Sequence, residues 1–356
     1  MHYSRRRDVG ASSFKTGEKI PTGGKMKKVL SMLAVAILVA ACGGNEAAMF
    51  GKAQHLTDLG QYDKAIQVYS QIIKNNPDND VAYAKRGLLY ERLQSKDAAQ
   101  NKKNKASAQR DYERSINLNY NRPEVYNNLA ALYIDQGYYG EAVLNLNEAL
   151  ILQPDYFVAY VNRAIAEGKQ GKFREALLDY SRAESLNPAS GLVYLNRGLT
   201  QFAAGYYASA AEDYSRAMEL EPENPRPVLE RGRAFIKLGY FQNAMDDFQH
   251  AMALQADYAM PYYYAAELLF SRGETEEAIA YAQQAKQLAP NYAPIYDMLG
   301  DMLALESPVE ATQHYLAARR LDPAHSKRYE QKIRMMNDEE GRKRVVAYRF
   351  MNLDKK

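Results

Sequence analysis

The sequence predicts an all-α protein, an α-solenoid superhelix of about eight stacked helix pairs that ends in a C-terminal capping helix. Three observations predict this fold. An alanine recurs about every 34 residues, a second small residue recurs in parallel with it, and glycines and prolines punctuate each interval. Apolar residues at three- and four-residue spacing indicate two amphipathic helices per interval. Because one helix pair cannot bury its apolar face alone, neighbouring pairs are expected to stack.

The recurring alanines set the register of the eight repeats, which cover residues 46–323. Positions are counted so that the recurring alanine is position 20 of its repeat. A small residue at position 8 lets the two helices approach closely, and glycine at position 15 permits the turn between them. Proline near position 32 ends the second helix. The alanines at position 20 are Ala65, Ala108, Ala142, Ala176, Ala210, Ala244, Ala278 and Ala311.

Three segments depart from this regular pattern. Repeat 2 carries extra residues at 95–107, which form either a solvated helix extension or loop, or a projection that contacts a partner. Residues 324–340 are expected to form the polar capping helix that solenoid ends need. Residues 341–356 form a basic tail, for which we expect disorder or, alternatively, addition as a strand to a partner sheet.

The N-terminus has the pattern of an export signal. Residues 26–41 combine lysines with an apolar run that is shorter than the ~20 residues needed to span a bilayer. Residues 1–25 read as an upstream extension and residues 42–45 as a linker. Cys42 is the only cysteine and directly follows three small residues. This arrangement resembles the bacterial lipobox, whereas the alternative is a plain secretory signal with an unmodified thiol.

The lipobox resemblance implies a lipid on Cys42 and therefore membrane attachment through the N-terminus. It places the protein in the cell envelope. Gly43, where an Asp would signal retention at the inner membrane, favours an outer-membrane lipoprotein that faces the periplasm.

Composition excludes several classes of function. One cysteine and five scattered histidines exclude a disulfide framework and a Cys-rich metal site. After residue 41 the chain has 38 basic and 41 acidic residues, which argues against nucleic-acid binding. The repeats leave no room for a catalytic domain, so we expect no enzyme activity, cofactor or metal. An unrecognised hydrolase is the competing interpretation.

The order of residues within a repeat resembles the tetratricopeptide repeat family. Repeat 5 carries the family pattern in Tyr194, Gly198, Gly205, Tyr207, Ala210, Tyr214, Ala217 and Pro222. The resemblance implies that the first helix of each repeat lines a concave groove through positions 2, 5, 6, 9, 12 and 13. It also implies that a protein or an extended peptide binds in this groove.

The predicted groove changes character along the chain. Asn128, Asn162 and Asn196 share position 6 and are similar to the asparagine ladder of O-linked N-acetylglucosamine transferases, which implies hydrogen bonds to a peptide backbone. Plain solvated asparagines are the alternative. Asp297 and Asp301 would make the far end acidic. The other groove candidates are Asn127, Val158, Ile165, Leu199, Phe202, Arg233, Tyr263 and Tyr264.

Arginine at position 7 and aspartate at position 23 occur together in the same four repeats. We therefore predict a structural salt bridge between the two helices of each of these repeats. It is worth ~0–1 kcal/mol if exposed and more if it is bidentate and shielded. The pairs are Arg86–Asp111, Arg163–Asp179, Arg197–Asp213 and Arg231–Asp247.

Together these observations predict a lipid-anchored scaffold or adaptor. It resembles repeat lipoproteins of Gram-negative bacteria that assemble envelope, secretion or pilus machines. The alternative is a glycan-binding lipoprotein associated with polysaccharide export, because a tyrosine-rich groove could stack sugars. The sequence leaves homo-oligomerisation open.

Overall fold

The computed structural model describes the backbone of residues 45–353 and the side chains of residues 45–347. The predicted extension, the signal segment and Cys42 lie outside the described residues. Every regular element in the described range is helical. In chain order these are α1 (residues 45–58), α2 (Tyr62–Asn75), α3 (Asp80–Arg92), α4 (Ala98–Leu118), α5 (Pro123–Gln136), α6 (Tyr139–Leu152), α7 (Phe157–Lys169), α8 (Phe173–Leu186), α9 (Gly191–Ala203), α10 (Tyr207–Leu220), α11 (Pro225–Leu238), α12 (Phe241–Leu254), α13 (Ala259–Ser271), α14 (Thr275–Leu288), α15 (Ala293–Leu303), α16 (Pro308–Leu321), α17 (Ser326–Met335) and α18 (Glu339–Leu353).

The chain divides after Tyr120 into two compact bodies. The N-terminal body contains α1–α4, which are repeats 1 and 2. The C-terminal body contains α5–α18, which are repeats 3–8 and the terminal helices. In the C-terminal body each helix pair packs on the next, and the first helices of successive repeats, α5, α7, α9, α11, α13 and α15, also contact one another. The predicted stack of helix pairs is therefore confirmed.

The small residue at position 8 packs directly against an aromatic ring from the second helix. A Cβ atom added to Gly198 would lie 2.6 Å from Cε1 of Tyr214, closer than real Cβ atoms approach. Tyr214 is fully buried. The same arrangement joins Gly87 to Tyr112 and Gly232 to Phe248. In these repeats a glycine on the first helix thus leaves space that a large aromatic side chain of the second helix fills. This packing sets how closely the two helices approach.

The connections between helices follow from two other repeated residues. The turn glycines at position 15 have φ between +69° and +84°, a conformation that costs an L side chain energy. Tyrosines at position 4 tie repeats 4, 5, 7 and 8 to the end of the preceding repeat, because the hydroxyl donates to the carbonyl oxygen six residues earlier. This bond is 2.9 Å from Tyr296 to Pro290 and 3.1 Å from Tyr160 to Pro154.

The extra residues of repeat 2 lengthen its second helix. Helix α4 has 21 residues, whereas α2 has 14. Asp97 caps its start by accepting from the backbone N–H of Ala99 at 2.8 Å. The side chains of Asn101 and Asn104 donate to backbone carbonyls of the preceding loop at 2.7 and 2.8 Å. The extra residues therefore form a helix extension, while a contact between this segment and a partner stays a prediction.

The end of the chain differs from the sequence prediction. Helix α17 lies within the segment expected to cap the repeats, but α18 occupies residues for which we expected disorder or a strand. That expectation is wrong for residues 341–353. Val345 is 3% exposed and packs in a cluster with Leu303 and Tyr315, so the fold buries part of the tail. An ion pair of 2.6 Å between Lys343 and Glu339 lies along the helix.

Candidate functional site

Each arginine of the four predicted pairs lies against its predicted aspartate. Nε and Nη2 of each arginine donate to the two oxygens of the aspartate at 2.6–2.9 Å, so all four pairs are bidentate. The arginine side chains are 16–24% exposed and the aspartate side chains 6–10%. Such shielded pairs bind more strongly than surface ion pairs. They hold the two helices of a repeat together and offer little surface to a ligand.

The same arginines also reach the second helix of the preceding repeat, a contact that the sequence did not predict. Nη1 donates to Ser70 from Arg86, to Asn147 from Arg163, to Glu184 from Arg197 and to Ser215 from Arg231, at 2.5–3.0 Å. Each guanidinium therefore joins three helices from two repeats. We call this arrangement an arginine node.

The predicted asparagine row lies on the first helices of repeats 3–5. Asn162 on α7 donates to Oδ1 of Asn127 on α5 at 2.9 Å. Asn127 is only 5% exposed, so it supports Asn162 and is corrected from a ligand contact to a supporting residue. Asn128, Asn162 and Asn196 are half-buried. Of the two asparagines of repeat 3, only Asn128 is therefore partly accessible.

Three apolar groove candidates lie in the same repeats. Val158 is 43% exposed near the start of α7. Ile165 is half-buried and packs against the core of repeat 4, and Leu199 is half-buried against the core of repeat 5. Ile165 and Leu199 therefore combine a structural contact with some exposed surface, whereas Val158 is mainly exposed.

The structure brings the remaining four groove candidates together around one cavity of about 620 Å³. Its walls come mainly from the first helices of repeats 5–8, with Phe241 added from the start of the second helix of repeat 6. Phe202, Arg233, Tyr263 and Tyr264 line it. Lys237 and Glu267, which also stand at groove positions of their repeats, line it too, and the rest of the lining is Ile236, Phe241, Leu268, Ser271, Arg272, Tyr292 and Pro294. We call this feature the aromatic cavity.

Arg233 is held between two aromatic rings at the wall of the aromatic cavity. Its guanidinium carbon lies 5.0 Å from the ring centre of Phe202 and 4.9 Å from that of Tyr264. Nη1 donates a hydrogen bond to the buried carboxylate of Glu230. Cation–π contacts of this kind stabilise a desolvated charge. The side chain is thus fixed in position with its charge retained.

Tyrosines form the opposite part of the wall. Tyr263 is 5% exposed and packs edge-on against Tyr264 and Tyr292, with ring centres 5.1 and 5.8 Å apart. Tyr264 also stacks on Phe248. Burial raises the pKa of Tyr264 to about 12, so its hydroxyl stays protonated at neutral pH and can donate a hydrogen bond.

The prediction of an acidic groove end is wrong. Asp297 and Asp301 are 3% and 0% exposed, and Nζ of Lys332 lies 2.6 Å from an oxygen of each. Arg328 adds a contact of 2.5 Å to Asp297. Both cations belong to α17. Helix α17 therefore covers these carboxylates. They form a buried ion cluster with its two cations, where the sequence predicted an open acidic surface.

Residues 45–353 contain no group of three or more His, Cys, Asp or Glu side chains that could hold a metal ion. None of the helices in this range is long and apolar enough to cross a membrane.

Family models match most of the repeats. A model described as TPR repeat matches residues 53–94. Models described as tetratricopeptide repeat match residues 123–156, 161–225 and 229–293. Together these ranges cover more than half of the chain. No curated protein matches the sequence.

Solved structures of similar fold are distant in sequence. A tetratricopeptide repeat protein from Parabacteroides merdae is 17% identical with a TM-score of 0.58, and the match covers 71% of this chain and 97% of that one. Yeast Tom70 is 17% identical with a TM-score of 0.57, covering 80% and 62%. A chain of the APC/C hetero-tetramer Cut9–Hcn1 is 17% identical with a TM-score of 0.53, covering 79% and 55%.

Proposed function

This chain belongs to the tetratricopeptide repeat family, and we propose that it is a non-enzymatic scaffold that holds a segment of a partner protein on its first helices. The single observation that carries this proposal is the aromatic cavity. Four residues chosen from their repeat positions line it together. A solved structure of similar fold, Cut9–Hcn1, is an assembly of two kinds of protein.

The inner residues of the C-terminal body suit an extended peptide. The half-buried amides of Asn162 and Asn196 can donate to and accept from a peptide backbone of any sequence. The aromatic cavity, at about 620 Å³, has the size of pockets that enclose small ligands and side chains. A backbone-binding row followed by a side-chain pocket would give both affinity and selectivity.

We further propose that the scaffold is anchored to the bacterial envelope through a lipid on Cys42, facing the periplasm at the outer membrane. The support is the sequence alone: an apolar run, small residues and one cysteine in register. Three acyl chains exceed the two signals that stable anchoring requires. An anchored scaffold of this kind would serve an envelope, secretion or pilus machine.

Glycan binding is a second candidate, favoured by the aromatic wall of Tyr263, Tyr264 and Tyr292, since rings of this kind can stack on sugars. Glycan arrays distinguish it from peptide binding. Retention of a polysaccharide that Tyr264→Ala abolishes, with no peptide bound, would favour the glycan.

The groove is tested by photo-crosslinking in cells. A photoreactive amino acid is introduced in place of Asn162 or Tyr264, and in place of Leu178 as a control, because Leu178 is 65% exposed on a second helix. We expect the same protein partner from positions 162 and 264 and not from 178. Recovery of no protein from either groove position would contradict the proposal.

The anchor is tested by mass spectrometry of the mature protein. We expect an N-terminal peptide that begins at Cys42 and carries acyl chains, and we expect Cys42→Ser to release the protein from membranes. An unmodified Cys42 thiol would refute the anchor while leaving the peptide groove untouched.

A further inference from the structure

The aromatic cavity contains rings that an incoming side chain can contact. Phe202 and Tyr264 enclose the guanidinium of Arg233, and Phe241 and Tyr292 also line the space. Aromatic pairs prefer edge-to-face or offset contacts, which the Tyr263–Tyr264 and Tyr263–Tyr292 pairs already show. A further ring entering the cavity would extend this arrangement. The wall therefore favours a phenylalanine or tyrosine side chain as occupant.

Charge adds a second requirement. Three cations line the aromatic cavity, Arg233, Lys237 and Arg272, whereas Glu267 is the one carboxylate among its lining residues. Arg233 and Lys237 are four residues apart on α11, so they lie on the same side of that helix. Among the lining residues alone positive charge is therefore in excess, and which of these cations is available to a ligand depends on its neighbours outside the lining.

The three cations differ in how far they are already neutralised. Arg233 donates to Glu230, and Nε of Arg272 lies 2.8 Å from an exposed oxygen of Glu274. Lys237 is half-buried and forms no ion pair with any residue in the described part of the chain. A half-buried ammonium group is more stable with a carboxylate partner than without one. Lys237 is therefore the residue best placed to bind a carboxylate of a ligand.

We propose that the aromatic cavity recognises an internal peptide segment in which an aromatic residue stands next to Asp or Glu. The ring enters the cavity against its exposed rings, Phe241 and Tyr292, and the carboxylate pairs with Lys237, with Arg233 as the second positive charge. This inference rests on the proposed peptide-binding function and adds the chemistry of the partner segment to it.

The experiment is selection from a random heptapeptide display library on the immobilised mature chain. Four proteins are compared: the unsubstituted chain, K237Q, R233Q/K237Q and the control K169Q/K172Q. The control removes two exposed lysines outside the cavity. Circular dichroism and melting confirm that each variant is folded. Because Lys237 has no ion-pair partner in the described fold, K237Q tests the inference even if R233Q/K237Q is destabilised.

We expect the unsubstituted chain and the control to enrich aromatic–acidic neighbours at least tenfold over the input library. K237Q should reduce this preference at least threefold, and R233Q/K237Q should abolish it while aromatic residues remain enriched. A peptide from the selection should bind more weakly at 300 mM than at 50 mM salt, since exposed charge pairs are screened.

Two results would overturn the inference. Enrichment of basic or purely aliphatic peptides would show that the cavity takes a different occupant, with peptide binding itself intact. If K237Q and R233Q/K237Q still prefer acidic peptides as strongly as the unsubstituted chain does, the acidic residue of the peptide is bound at a site other than the aromatic cavity. Enrichment of no peptide by the unsubstituted chain would contradict both this inference and the proposed peptide groove.

Discussion

Removing one arginine node gives the sharpest test of what holds the repeats together. Arg197 makes a bidentate pair with Asp213 at 2.7 and 2.8 Å and a third bond of 2.5 Å to Glu184. Its side chain is 16% exposed and that of Asp213 is 10% exposed. Breaking a fully buried pair costs 3–5 kcal/mol, whereas an exposed pair contributes ~0.2–1 kcal/mol. For this partly shielded node we expect Arg197→Met to lower the free energy of unfolding by about 2–3 kcal/mol.

Thermal unfolding followed by circular dichroism measures the effect. A loss of about 2–3 kcal/mol corresponds to a fall in Tm of about 5–10 °C for a body of this size. Because Arg197→Met leaves the Asp213 carboxylate without its partner, adding Asp213→Asn should recover part of the loss. The double-mutant cycle should give a coupling energy of at least ~1 kcal/mol.

Arg182→Met is the matched control, because this arginine is exposed on α8. It should change stability by less than ~0.5 kcal/mol. If Arg197→Met changes Tm no more than the control does, or if the Arg197 and Asp213 substitutions are simply additive, the node contributes nothing specific to the fold.

Three further outcomes are expected. Gly198→Ala should lower the free energy of unfolding by about 1–3 kcal/mol, because its Cβ would collide with Tyr214. Gly140 has open space around it, so Gly140→Ala should leave the melting temperature unchanged or raise it. Equal effects of the two substitutions would contradict this explanation of the packing. Lys332→Ala should speed hydrogen exchange in α17, because it leaves two buried carboxylates without that cation; unchanged exchange would argue against the ion cluster. Burial and, to a smaller extent, the negative charge of nearby Asp179 raise the pKa of Glu167 from 4.5 to about 7. The folded protein is therefore destabilised as the pH rises through this interval and the Glu167 carboxyl group ionises. Glu167→Gln should therefore raise Tm at pH 8 and leave it nearly unchanged at pH 4.5, and a gain that is equal at both pH values would refute this reading.

Comparison of the repeats with one another made much of the fold predictable from one sequence. A constant period fixes which residues of the two helices face each other, so Arg197 and Asp213 could be paired without a structure. Position 8 and the turn glycines follow from sterics alone, since only small side chains suit a close helix approach or a positive φ. The groove positions of Phe202, Arg233, Tyr263 and Tyr264 came from the family resemblance, and these four residues line one cavity.

The contacts that escaped prediction are those for which no fixed pair of residue types recurs from repeat to repeat. The third bond of each arginine node reaches the preceding repeat, and its acceptor varies between serine, asparagine and glutamate. Lys332 belongs to a helix outside the repeats, so no comparison could pair it with Asp297 and Asp301. The same holds for α18, where burial of Val345 outweighs the polar character of the tail. Asn127 was misassigned because position alone does not show how deeply an amide is buried.

The uneven distribution of the arginine nodes has a mechanical consequence. The arginines of repeats 4, 5 and 6 are hydrogen-bonded to the preceding repeat. Repeat 7 has Ala265 and Tyr281 in place of the arginine and the aspartate. Directional bonds resist sliding between neighbouring helices, whereas apolar contacts allow small displacements at low cost. Repeat 8 likewise has Leu299 at the position of the arginine, so we expect the interfaces in front of repeats 7 and 8, beside the aromatic cavity, to be more compliant than those in front of repeats 4–6. Strain imposed by a bulky guest would be absorbed there, with repeats 4–6 keeping their spacing.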